Sequence, residues 1–390
     1  MISDPFNFMV IDLMMLIIIL SIGIFITLIC SKCFELSFSR SFYLFIWHTF
    51  FSFVYVWYTR KYYGDSIFYY EEATNGISEF SVSNESIIYI TSFIYYFSKI
   101  SFLNIGVLFG FFGLIGLLAF DGTLRSITKS SSKNIKTLAT LVILLPSISY
   151  WSSGLGKDSI AFMSVSLILW SSLKLNKRKL VMLLGISSML MIRPHVAALL
   201  LVALTFGLFF EKKIKIFIRL FYLTIIFIII IKIIPFSLNF IGMGKDISLQ
   251  SIINFIELRQ SYNWKNFEGG IDISSMNLVN QIFSYLFRPL PMDAHSLTAL
   301  ISSFENIFLF ILFLFGVISK IKGASADQNI NLSFCWFYSL AALIIFSVTT
   351  ANYGISMRQK WMFLPFLIVI FISYISCFMG SYYNQKISKN

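Results

Sequence analysis

The chain has 390 residues, 57% of them hydrophobic and only 12% charged, with a formal net charge of +12. A soluble domain carries about twice that charged fraction, and no segment is both long and polar enough to form one, so the 390 residues read as one integral membrane domain. The excess of basic residues falls in short connections between apolar runs, with no recognition helix and no basic patch interleaved with aromatics, so nucleic acid is not an expected partner.

Taken in chain order, the first eight residues hold Asp4 and no Lys or Arg. A cleavable signal peptide starts with positive charge, so the first apolar run, 9–30, is expected to be retained as a span. Further spans are expected near 41–59, 101–120, 137–153, 159–173, 180–192, 196–210, 217–238, 297–318, 331–350 and 361–379, judged against the roughly 20 residues needed to cross a bilayer. The segment 86–98 is apolar but short and rich in Tyr and Ser, and reads as a re-entrant or interfacial piece. The fold class is therefore all-α, a polytopic helix bundle of about eleven spans with two large outer loops, about 60–100 and 239–296, that carry short helices. In the second loop, Leu249 to Arg259 repeats its apolar residues at helical spacing, as an amphipathic helix on a membrane surface does. Its last helical stretch should stop at Arg288-Pro289-Leu290-Pro291. Cys30, Cys33, Cys335 and Cys377 lie in or beside spans and read as small apolar residues in packed helices.

Charge chooses the orientation. Lys32, Arg40, the groups at 125–136, 174–179 and 212–219, and Lys320, Lys322, Lys386 and Lys389 give one side 18 basic residues against four acidic ones, leaving the other side 12 basic and 14 acidic. By the positive-inside rule the first side is cytoplasmic, which puts the N terminus outside and the C terminus inside. The cytoplasmic connections are short and hold no phosphate-binding loop: Gly156-Lys157-Asp158 and Gly244-Lys245-Asp246 lack the earlier Gly and the following Ser or Thr. No cofactor is expected, and any substrate is met at the outer face or within the membrane.

Against that background, several outer residues lack a topological reason, and ionisable groups near hydrocarbon are costly unless paired or facing water. Asp65, in Gly64-Asp65-Ser66-Ile67-Phe68-Tyr69, is placed to act as a general base on a hydroxyl, or as an ordinary solvated loop acid. Pro146 should kink its span, and the chain then runs through Trp151-Ser152-Ser153-Gly154-Leu155-Gly156-Lys157-Asp158. Asp158 there suits a helix start, whereas Lys157 is better placed beside an anion. Arg193-Pro194-His195 divides two apolar runs. Its guanidinium calls for a phosphate, a carboxylate or water, and His195 is a proton carrier near neutral pH or a structural imidazole. Arg288, Arg358 and Lys360 complete the cations, the last two also suiting a snorkelling role. Tyr69, Tyr70, Tyr150 and Trp151 suit either sugar stacking or an interfacial aromatic belt. A metal set from Asp65, Asp293, His295 and His195 has no supporting spacing, so no metal is expected.

These short motifs, Gly64-Asp65-Ser66 with Tyr69, Pro146-Ser147, Trp151-Ser152-Ser153-Gly154 with Lys157-Asp158, and Arg193-Pro194-His195, together with the large loop and the span count, resemble the O-antigen polymerases of the Wzy type and, more broadly, the GT-C class of polytopic glycosyltransferases. The resemblance implies an enzyme of the bacterial inner membrane that joins oligosaccharide repeat units, with an undecaprenyl-diphosphate-linked glycan as both donor and acceptor, membrane lipids around it and a chain-length regulator as a further partner. It implies Asp65 or His195 as base, Lys157, Arg193, Arg288 and Arg358 as cations for the diphosphate, and Tyr69 and Trp151 as sugar contacts. A polyprenyl-phosphate-sugar-dependent transferase, an O-antigen ligase and a lipid-linked oligosaccharide flippase are the alternatives.

Overall fold

The structure, a computed structural model, describes residues 5–77, 79–211, 215–240, 242, 248–265, 270–294 and 296–387. In chain order its α-helices are α1 (Pro5–Cys33), α2 (Phe38–Tyr62), α3 (Asp65–Thr74), α4 (Asn84–Ser98), α5 (Phe102–Ile127), α6 (Lys133–Ile143), α7 (Pro146–Ser152), α8 (Lys157–Ser172), α9 (Lys179–Ile192), α10 (Pro194–Phe210), α11 (Ile216–Phe240), α12 (Leu249–Lys265), α13 (Leu278–Phe287), α14 (Leu297–Ile321), α15 (Leu332–Thr349), α16 (Tyr353–Gln359) and α17 (Leu364–Ile387). Single 3-10 turns lie at Leu175–Lys177, Pro291–Asp293 and Lys360–Met362. Among the described residues there is no strand, and one isolated antiparallel bridge joins Gly270 to Asn352.

The helix ends follow from local chemistry. Ser37, Asn277, Ser296, Asn331 and Asn352 each accept a hydrogen bond from a backbone N–H of the helix that follows, which satisfies one of the donors a helix start leaves orphaned. Pro146 and Pro194 occupy the first positions of α7 and α10, where the missing N–H costs nothing. Pro146 also divides the expected 137–153 span into α6 and α7. The amphipathic stretch expected from Leu249 is the helix α12, and α13 stops before Arg288-Pro289, a cis peptide bond.

Among the described residues six helical segments are long and apolar enough to cross a membrane: Val10–Cys33, Phe102–Ile127, Lys133–Ser152, Arg219–Phe240, Leu297–Ile321 and Leu332–Thr349. A seventh is formed if Tyr353–Met362 and Leu364–Gly380, bent by 63° at the break between them, count as one span. The other expected spans are helical as well, but α8, α9 and α10 have 16, 14 and 17 residues, and α2 is diluted by Ser, Thr, Tyr and Trp. The segment 86–98 is the body of α4.

Many of the polar groups inside these helices are satisfied in one of two ways. Hydroxyls turn back on their own helix: Thr27 donates to the Gly23 carbonyl at 2.7 Å, Thr91 to Ile87 at 2.7 Å, Ser164 to Ile160 at 2.7 Å and Ser319 to Phe315 at 2.8 Å, the local pattern open to Ser and Thr. Charged groups need partners from other helices.

The helices gather into two compact units, one formed by Met1–Thr123, Ile143–Trp170 and Leu180–Arg193, the other by Leu124–Val142, Ser171–Lys179 and Pro194–Asn390. In the first unit, α5 lies directly against the end of α7. A Cβ added at Gly113 would meet the Ser152 carbonyl oxygen at 1.9 Å and Nε2 of the wholly buried His48 at 2.8 Å, so only glycine allows that approach. The same unit is tied by Arg40 of α2, whose Nε and Nη2 donate to the two carboxylate oxygens of Asp121 on α5 at 2.6 and 2.8 Å, while Asp121 is fully buried. In the second unit, α15 is the central element, packed by α10, α13, α17 and α12, while α14 packs on α17. The Tyr338 hydroxyl there donates to the Met362 carbonyl at 2.9 Å.

Breaking one side of a buried, bidentate ion pair leaves an uncompensated charge and costs about 3–5 kcal/mol. Arg40→Met is therefore expected to lower the thermal midpoint of the detergent-solubilised protein sharply, whereas Arg40→Met combined with Asp121→Leu recovers most of the loss. Equal midpoints for the single and double variants would contradict this.

Candidate functional site

The first unit collects five of the sequence-derived candidates around the turn between α7 and α8. That turn, Ser153 to Gly156, is held from outside its own segment. The Ser66 hydroxyl of α3 donates to the Leu155 carbonyl at 2.6 Å and exchanges a 2.9 Å hydrogen bond with the Tyr55 hydroxyl. Gly154 packs so closely on the Tyr55 ring that a Cβ would come within 2.1 Å of it.

Lys157 and Asp158 open α8 immediately after this turn. Arg193, between α9 and α10, donates from Nη2 to Oδ1 of Asp158 at 2.7 Å, and the two side chains are only 11% and 19% exposed. The Arg193 Nε is buried with no hydrogen-bond partner in the structure. Lys157 Nζ reaches the Ser83 hydroxyl at 3.5 Å, and the Ser83 N–H donates to the Met191 carbonyl at 2.8 Å. The neighbouring Asn84 accepts from the Tyr69 hydroxyl at 3.0 Å, with Tyr69 buried. Asp158 and Arg193 thus pair with each other, and Lys157 and Tyr69 meet adjacent residues at the start of α4.

Asp65 sits on the first turn of α3 and is exposed. A carboxylate there is stabilised by the helix dipole whatever else it does, and its chain neighbour Ser66 ties it to the α7–α8 turn. Trp151 is partly exposed in a group of rings, edge-on to Tyr150 at 5.0 Å, with Tyr150 in turn 5.4 Å from Tyr55 and 6.0 Å from Tyr58.

The second unit carries His195, Arg288, Arg358 and Lys360. His195 is half-buried on the first turn of α10, and Arg358 is half-buried on α16. Arg288 forms a two-point ion pair with Asp293, Nε to Oδ2 at 2.8 Å and Nη2 to Oδ1 at 2.5 Å. The Leu290 N–H adds a 2.9 Å bond to the same carboxylate, and the guanidinium lies 5.5 Å from the centre of the Tyr353 ring. The Asp293 hydrogen bond holds the guanidinium above its ordinary pKa. Lys360 is 2% exposed and its ammonium donates to Oδ1 of Asn306. Buried Glu305, next to Asn306 on α14, attracts it electrostatically.

Glu305, Asn306 and His48 are functional-looking groups that the sequence reading does not single out. The signal was present for the first two: an acid and an amide side by side inside the 297–318 apolar run. His295 lies outside the described residues. Among the described residues no three His, Cys, Asp or Glu side chains gather as a metal-holding set.

The Arg193–Asp158 contact is mostly shielded from water. A double-mutant cycle on Arg193→Met and Asp158→Asn, read as detergent stability, is expected to give a coupling of about 1–3 kcal/mol; strict additivity would show that the pair is not formed. Comparison with protein-family models, with characterised proteins and with solved structures finds no match to this chain.

Proposed function

We propose that the chain is a multi-pass glycosyltransferase of the bacterial inner membrane that polymerises undecaprenyl-diphosphate-linked repeat units into O-antigen or a similar surface polysaccharide. On this reading its hydrophobic windows make about eleven crossings, with the N terminus periplasmic, the C terminus cytoplasmic and both large loops outside.

The observation that carries the proposal is the charge arrangement at the start of α8. A helix N terminus already bears about half a positive charge. Here Lys157 is added to it, and Arg193 is brought in as well through its bond to Asp158. Two cationic side chains and a helix end thus meet at one turn, and a Lys in the first turn of a helix is set against the helix dipole. A diphosphate on a lipid carrier is an anion of the right kind for a membrane-embedded protein.

The chemistry then assigned to this unit is a single displacement. An acceptor hydroxyl oxygen bonds to the donor's anomeric carbon, the bond from that carbon to the diphosphate oxygen breaks, and the hydroxyl proton passes to the Asp65 carboxylate. Lys157 and Arg193 take up the charge that develops on the departing undecaprenyl diphosphate, with Trp151 beside them for a sugar ring and buried Tyr69 holding the start of α4 through Asn84. His195, Arg288 and Arg358 are the corresponding base and cation candidates carried by the second unit.

Deletion of the gene is expected to leave lipopolysaccharide core bearing one repeat unit and no ladder. Arg193→Ala and Lys157→Ala should each reduce polymer by about a hundredfold or more while the protein stays in the membrane. A normal ladder from both variants overturns the site assignment. Complete loss of repeats, with long chains held on the carrier, assigns the ligase reaction instead.

One observation favours transport as a second reading. Lys360, Glu305 and Asn306 form a buried polar group at a broken helix, as substrate and ion sites of transporters do. A flippase deletion would give core with no repeat at all and unpolymerised repeat units confined to the cytoplasmic leaflet.

A further inference from the structure

Lys360 is too deeply buried to meet a lipid-linked substrate directly, and its contacts lead elsewhere. We infer that Lys360 is a positioning residue: acting through the Asn306 amide, it anchors the Pro289 carbonyl and so fixes the Arg288–Asp293 ion pair over Tyr353. The use of this device in catalysis rests on the reading of Arg288 as a diphosphate contact; the anchoring itself does not.

An amide side chain presents an acceptor oxygen on one edge and a two-proton donor on the other. An ammonium is a donor only, so Lys360 fixes the Asn306 oxygen toward itself. The Asn306 nitrogen is then compelled to face the other way, where it donates to the Pro289 carbonyl at 3.1 Å. The cation also polarises the amide and strengthens that second bond. Pro289 follows Arg288, and the segment is closed locally by the Arg288–Asp293 pair, the Leu290 N–H on Asp293 and the Asp293 N–H on the Leu290 carbonyl at 2.8 Å. Arg288 stands against the Tyr353 ring, and Tyr353 begins the short helix that ends one residue before Lys360. The contacts therefore form a closed circuit, from Lys360 through Asn306, Pro289, Arg288 and Tyr353 back along α16.

Within that circuit the guanidinium spends Nε and Nη2 on Asp293, and its side chain keeps 31% exposure, leaving Nη1 outside the ion pair for another acceptor. A guanidinium so held can meet an anion without first being ordered, and ordering a long side chain is a main cost of such contacts.

Two substitutions separate anchoring from bulk stability. Asn306→Asp keeps an acceptor for Lys360 but removes the donor to Pro289. Lys360→Met keeps the bulk and removes the charge that orients the amide. In the full chain, purified into lipid nanodiscs, hydrogen–deuterium exchange of the Leu290 and Asp293 amides is expected to speed up at least tenfold in both variants, with exchange in α5 unchanged. Unchanged exchange at 290–293 in Asn306→Asp overturns the proposal, as does a rise in Lys360→Met that is spread equally through α5. Cells carrying Asn306→Asp should show a shortened or absent polysaccharide ladder. Faster exchange together with a wild-type ladder would uphold the anchor and remove Arg288 from the proposed reaction, so the two failures are told apart.

Discussion

Hydrocarbon offers no hydrogen bonds and little screening, so a charge placed among membrane helices has to be answered by another group of the same protein. The architecture of each unit is organised by how that demand is met. Arg40 answers Asp121 across α2 and α5, Arg193 answers Asp158 at the start of α8, Arg288 answers Asp293, and Asn306 with Glu305 answers Lys360. The pairs of Arg40, Arg193 and Lys360 fix where one element meets another and that of Arg288 closes its own segment, because a bidentate or amide contact tolerates little sliding, whereas apolar helix faces in lipid gain little from one register over the next. Glycine sets the remaining distances, most tightly where Gly113 admits the Ser152 carbonyl.

This constraint changes the meaning of the cations. As free charges lining a cavity, Arg193 and Arg288 would pull strongly on any anion. As members of ion pairs, each presents what is left after a carboxylate has taken one or two of its donors. Attraction for a substrate then depends on what surrounds the pair. At the start of α8 the helix end and Lys157 add positive charge beside the pair. At Arg288, with one carboxylate for one guanidinium, the pair is neutral, and its contribution is shape and donor direction more than charge. A lipid diphosphate meeting the first would be held by field, and one meeting the second by geometry.

Much of the secondary structure was legible in the sequence because hydropathy and backbone punctuation are local. The windows chosen for length and apolarity are helical, Pro146 divides its span, and Arg288-Pro289 closes α13. The number of crossings was less legible, because α8, α9 and α10 have 16, 14 and 17 residues, short of the roughly 20 that span a bilayer unaided. Of the site, residue types were legible and partners were not. Arg193 stood out as a charge seeking a counterion, and Asp158 as a helix-start residue, but nothing local joins two residues 35 positions apart. Glu305 and Asn306 were readable by the rule applied to Arg193, as polar groups without excuse inside an apolar run. Their meaning depends on Lys360, which linear order puts on a different helix.

The hydroxyls that bond to their own helix carry a consequence for how the chain is made. A hydroxyl such as that of Thr27 on α1, satisfied by the turn beneath it, has its partner the moment its helix forms. α5 needs a companion for Asp121, and that companion, Arg40, has already been synthesised 81 residues earlier. α14 is different: Asn306 waits 54 residues for Lys360, with Glu305 beside it. Until that part of the chain emerges, the Asn306 amide lacks the ammonium that orients it. The last span is thus the element that lets an earlier one settle, and assembly of the second unit closes from its C-terminal end.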